Sequence, residues 1–156
     1  MNTPSGMHPD AWAAWQRAGI PASRIGQTIG SAPASAGTHA KDGSVNGRNY
    51  CAATDVRVRD LDRDEVIALA QKLAAVGFAA FVRIPGEDHW PATEVRHIHA
   101  VYAGCAMKEA LRHQVHDFCH GLNGLASHAP YHCYTPAPAS VQTVRTLFLA
   151  HNPAAG

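Results

Sequence analysis

Apolar residues recur at helical spacing in four stretches of the chain and alternate or run together in three others. Between Asp62 and Val76, the positions Val66, Leu69, Ala70 and Leu73 fall on one side of a helix that Gly77 stops. From Met107 to Leu122 the line Met107, Leu111, Val115, Phe118 and Leu122 advances in steps of three and four. A short helix is predicted from Pro9 to Gly19, with Trp12 and Trp15 on an aromatic face that belongs in a core, and a last one from Val141 to Ala150. Three stretches read as strands: 52–58, which alternates and carries Asp55 among apolar neighbours, Phe78 to Ile84, and Val95 to Tyr102. Between them lie a Gly/Ala/Ser/Pro-rich loop from Gly26 to Ser35, a turn from Pro85 to Asp88, and a loop after Gly124 with Pro130, Pro136 and Pro138. Helices and strands in this order predict an α+β domain, a small and mainly antiparallel sheet with flanking helices.

Composition narrows the picture. A chain of 156 residues is one domain by the usual size range and long enough to bury a core, so 1–156 are read as a single domain. Hydrophobic residues at 46% and charged ones at 16% exclude a disordered chain. A formal net charge of +1, with basic residues scattered, gives no reason to expect a nucleic-acid partner. No stretch reaches the roughly 18 apolar residues of a membrane span. Met1 to Gly6 lacks the charged and apolar regions of a signal peptide, so the chain as encoded is expected in the cytoplasm, or released as a phage-type lysin. Cys51, Cys105, Cys119 and Cys133 include no close Cys-x-x-Cys pair and are expected as free thiols.

The chemistry concentrates in His97-Ile98-His99, preceded by Glu94. Residues two apart in a strand share a face, so both imidazoles look at one site. A catalytic zinc takes three protein ligands from nitrogen and carboxylate oxygen and leaves one position to water. His39, Asp55 and one of His97 or His99 would make such a set. Without a metal, Asp55 would cap or pair with Arg57 or Arg59, and Glu94 would be plain surface. The i, i+3, i+7 stripe of His113, His116 and His120 lies off the core line of its helix and reads as solvent-facing. Trp90 fits a cleft wall and core packing equally; His128 and His132 flank Pro130 in a loop.

These motifs resemble the LAS group of zinc peptidases, which includes D-Ala-D-Ala carboxypeptidases, L-alanyl-D-glutamate endolysins, D-Ala-D-Ala dipeptidases and the related Hedgehog domain. Gly37-Thr38-His39 resembles the family's Ser-x-His, Ala53-Thr54-Asp55-Val56 its Gly-x-Ala-x-Asp strand, and His97-Ile98-His99 its closing His-x-His. The resemblance covers about Arg24 to Tyr102. It implies a Hedgehog/DD-peptidase-like fold, Zn2+ held by His39, Asp55 and His99, and His97 beside the metal to stabilise the oxyanion. It further implies Glu94 as general base, Arg24 as a substrate-holding arginine, and a peptidoglycan-derived peptide as substrate. Glu94-Val95-Arg96-His97 also fits the Glu-x-x-His of the dipeptidases, in which His97 would be the ligand. Fifteen residues, from Ala40 to Thr54, separate His39 from Asp55 where the family has six. Lys41 to Asn49 is turn chemistry throughout, as an inserted hairpin or loop would be. Two other readings stay open: a non-catalytic zinc-binding module of Hedgehog-like fold, and a metal-free globular interaction protein.

Overall fold

The computed structural model describes residues 6–27, 42–45 and 47–153. Its elements in chain order are α1 (Pro9–Arg17), a 3-10 turn (Ala22–Arg24), β1 (Ile25–Gln27), β2 (Gly43–Val45), β3 (Arg48–Tyr50), β4 (Ala53–Arg57), α2 (Arg63–Ala75), β5 (Phe78–Arg83), β6 (His97–Tyr102), α3 (Glu109–Cys119), β7 (Leu122–Asn123), β8 (Ala129–Pro130) and α4 (Pro138–His151). The main sheet has the order β1-β4-β6-β5 with every neighbouring pair antiparallel. The fold is therefore α+β, a small antiparallel sheet with flanking helices.

The helices form for local reasons that sequence already shows. Asp62 and Glu65 close a capping box at the start of α2: the Glu65 amide donates to Asp62 Oδ1 at 2.8 Å and the Asp62 amide to Glu65 Oε1 at 3.1 Å. The face Val66, Ala70, Leu73 and Ala74 is buried, and α2 packs on β5 and α4. His8 caps α1, its Nδ1 accepting from the Asp10 amide at 3.0 Å. Trp15 is buried and meets Phe78 edge-on, while Trp12 packs at the core's margin. On the opposite sheet face, Phe81 meets Phe118 of α3 edge-on with ring centroids 5.8 Å apart. β5 is buried at all six positions, which is why it reads as a continuous apolar run.

Several boundaries differ from the sequence reading. α3 starts after Met107 and stops before Leu122, because the chain leaves the helix through His120 and a left-handed Gly121, and Leu122 pairs in a two-residue ladder with Pro130. β6 starts at His97 rather than Val95, since the Val95 carbonyl accepts from Trp90 Nε1 at 3.1 Å and its side chain is exposed. The start of the expected Gly26–Ser35 loop is an edge strand. Its composition hides this: Gly26 passes so near the Asp55 carbonyl that a Cβ there would lie 3.0 Å from that oxygen. α4 begins at Pro138, three residues early, with proline in the first turn. Part of the segment read as an inserted hairpin or loop folds as the hairpin β2–β3, with Gly43 opposite Tyr50 and Val45 opposite Arg48. All four cysteines are free. Among the described residues no helix is long and apolar enough to cross a membrane.

Candidate functional site

Register builds the site. In the antiparallel ladder Asp55 lies opposite His99 and Arg57 opposite His97, while on the other side of β6 Phe81 faces His99 and Arg83 faces His97. Paired residues share a face, as do residues two apart. Two rows therefore cross the same face of the sheet: Asp55, His99 and Phe81, and next to it Arg57, His97 and Arg83.

In the first row the His99 Nδ1 atom lies 3.3 Å from Asp55 Oδ1, and its Nε2 lies 2.8 Å from the Oε1 of Gln114 on α3. His97 Nε2 stands 3.8 Å from the same Asp55 Oδ1, and its Nδ1 lies 3.2 Å from the Val95 carbonyl. Both outer nitrogens thus meet oxygen acceptors and must carry the proton there in the neutral tautomers. The two inner nitrogens then turn lone pairs toward one carboxylate oxygen. Such an arrangement is repulsive unless a proton or a cation lies between. Burial, opposed by Asp55, lowers the His97 pKa below the ordinary imidazole value and so favours its neutral form.

A cation fits part of this set. Donors about 2.0–2.1 Å from a tetrahedral zinc stand about 3.3–3.4 Å apart. The Asp55–His99 separation of 3.3 Å matches that edge, whereas the 3.8 Å to His97 is too wide for it. The held outer nitrogen of His99 is also the arrangement that orients a metal-ligating imidazole. Among the described residues no group of three or more His, Cys, Asp or Glu forms a complete metal cage. His39, the expected third ligand, lies outside the described residues, as do Gly37 and Thr38.

The site opens into a cleft of about 600 Å³ lined by Gly26, Asp55, Arg57, Arg59, Trp90, Glu94, Arg96 and His97, among others. Glu94 is exposed on its wall, within the turn that precedes β6. Trp90 is a wall residue too, its ring edge-on to His97 at 5.1 Å. Asp55 faces the two histidines, not a neighbouring arginine. Arg24 is elsewhere: its guanidinium grips the Asp60 carboxylate at 2.9 and 3.0 Å and donates to the Arg57 carbonyl at 2.9 Å, and it does not line the cleft. Sequence reasoning missed Gln114, because nothing along the chain links position 114 to 99. It also missed Arg83, which only the β5–β6 register brings beside His97.

The remaining histidines stand apart. His113, His116 and His120 are exposed, as the helical angle predicts, with His116 and His120 stacked at 4.2 Å. Buried Asp117 between them is bonded by His128 from the turn after Gly124 and lies 3.5 Å from His116 Nδ1. Comparison with protein-family models, with curated proteins and with solved structures gives no match.

Proposed function

We propose that this cleft is the active site of a zinc-dependent peptidase that cleaves cell-wall-type peptides containing D-amino acids, at D-Ala-D-Ala or L-Ala-D-Glu bonds. The observation that carries the reading is the convergence of two imidazole nitrogens on the Asp55 carboxylate beside an open cleft. The motif order along the chain, which resembles the LAS peptidases, supplies the substrate class.

Asp55 and His99 would hold the ion, with His39 as the third ligand. Bound zinc supplies Lewis acidity, polarising a peptide carbonyl and making water a nucleophile near neutral pH. Glu94, on the exposed wall, takes the water's proton and hands it to the departing amine. His97 is held as an acceptor by its bond to Val95, so it can donate to an oxyanion only after gaining a proton at Nε2. Burial works against that protonation, so the neutral His97 ring stands as part of the cleft wall beside the Asp55–His99 pair. Arg24, committed to Asp60, is given no part in this scheme.

Glu94→Gln tests the reading. It keeps size and hydrogen bonding but cannot accept a proton, so zinc should stay bound while kcat on a muropeptide falls by roughly 10²-fold or more. Near-normal turnover would remove Glu94 from the mechanism.

A further inference from the structure

The C-terminal end of α3 carries two exposed imidazoles one turn apart. His116 and His120 stand at i and i+4, so their side chains share one face of the helix, and their rings stack with centroids 4.2 Å apart and planes 26° from parallel. Two imidazolium rings would repel at that distance, so at least one of the pair is neutral. Each ring has one nitrogen turned to a protein oxygen. His120 Nδ1 lies 2.8 Å from the His116 carbonyl, and His116 Nδ1 lies 3.5 Å from Asp117 Oδ1. Both oxygens are acceptors, so in the neutral rings they favour the proton on Nδ1 and leave the lone pair on Nε2.

Asp117 stands where a carboxylate is disfavoured. It is 2% exposed and lies in the last turn of α3, at the negative end of the helix dipole. Among the described residues its ion-pair partners are two imidazoles, His116 and His128, and no lysine or arginine joins them. A carboxylate behind an imidazole whose other nitrogen is free is the arrangement that orients a metal-ligating histidine. A cation on the outer nitrogens would offset both the buried charge and the helix end.

We infer that His116 and His120 chelate an imidazole-seeking divalent transition ion such as Zn2+ through their two Nε2 atoms, with Asp117 as the residue that positions His116. Two donors on a tetrahedral zinc stand about 3.3–3.4 Å apart, so the stacked rings must splay to aim both lone pairs at one point, which their exposure allows. Among the described residues no third His, Cys, Asp or Glu completes the set, and the other positions fall to water. Neither histidine lines the cleft, and the inference does not rest on the peptidase reading.

The probe is zinc chloride, titrated into the untagged full chain at about pH 7.5, above the ordinary imidazole pKa of about 6.5, and followed in long-range 1H–15N spectra of the histidine rings. Before zinc, both rings should carry their proton on Nδ1. With zinc, Nε2 of His116 and of His120 should shift together along one binding curve, while His113, also exposed on α3, should need at least a roughly tenfold higher concentration. His116→Ala should weaken binding at His120 by the same factor, and His120→Ala binding at His116; both positions are exposed, so neither variant threatens the core. Asp117→Asn should weaken the pair about tenfold. A proton on Nε2 in the metal-free rings overturns the inference, as do shifts that only keep pace with His113, His120 binding unchanged in His116→Ala, or a folded Asp117→Asn that binds as the wild type does. If Asp117→Asn does not fold, the His116 tautomer in the wild type decides. Zinc shifts confined to His97 and His99 would overturn this inference and leave the peptidase reading standing, whereas shifts confined to His116 and His120 would support it and remove the metal from that reading.

Discussion

Gln114→Leu separates a metal-orienting contact from ordinary packing. Gln114 accepts from His99 Nε2 at 2.8 Å, and His99 is 7% exposed, so leucine removes that acceptor from a buried ring while keeping helix propensity and approximate size. Removing the acceptor of a buried donor costs about 1–3 kcal/mol. For a chain of this length that is a fall in Tm of about 3–9 °C in metal-free protein. The imidazole also loses its fixed tautomer and orientation, and losing the hydrogen bond that orients a ligating imidazole weakens metal binding about 10–100-fold. Calorimetry with chelator measures the first effect, and competition against a chromophoric zinc chelator the second. Gln114→Glu keeps an acceptor oxygen and should retain most of the affinity. If Gln114→Leu binds zinc as tightly as the wild type, His99 is not oriented by this bond and the ligand assignment fails.

Three further outcomes are expected. Leu73→Ala and Leu111→Ala, both fully buried, should each destabilise by about 2–5 kcal/mol in denaturant titration; a loss under 1 kcal/mol would contradict the core described. His8 caps α1 only when Nδ1 is unprotonated, and burial lowers its pKa despite the nearby Asp10. Its contribution is therefore complete above the unfolded value of about 6.5 and is lost as pH falls through the lower folded value, so the Tm of His8→Asn should decline less than the wild type's from pH 7 to 5. Lys108→Ala leaves the fully buried Asp42 carboxylate without its 3.1 Å ion pair and should lower stability, whereas Asp42→Asn with Lys108→Ala should recover part of the loss.

The fold was legible where local signals and burial agree. The 62–76 helix carries an apolar face and a glycine stop, and β5 is a run of six buried residues, so both stand out in the chain. β1 did not, since a three-residue edge strand containing glycine has no period to detect. Within the site, the shared face of His97 and His99 followed from strand alternation alone. Their meeting with Asp55 depended on the β4–β6 register, which no local pattern specifies. Gln114 and Arg83 were invisible for the same reason: each reaches the site from an element whose own sequence reads as helix surface or buried strand. Arg24 shows the reverse, a basic residue placed by motif spacing that the fold turns toward Asp60.

The central claim is that Asp55 and His99 bind zinc. Elemental analysis of untagged protein, purified without added metal and set beside Asp55→Ala, His99→Ala and His39→Ala, tests it most directly. The account predicts about one zinc per chain in the wild type, a substoichiometric trace in each variant, and a wild-type Tm that drops on chelation, since binding to the native state adds to folding free energy. Wild-type protein that carries no zinc and takes up none when it is supplied would contradict it.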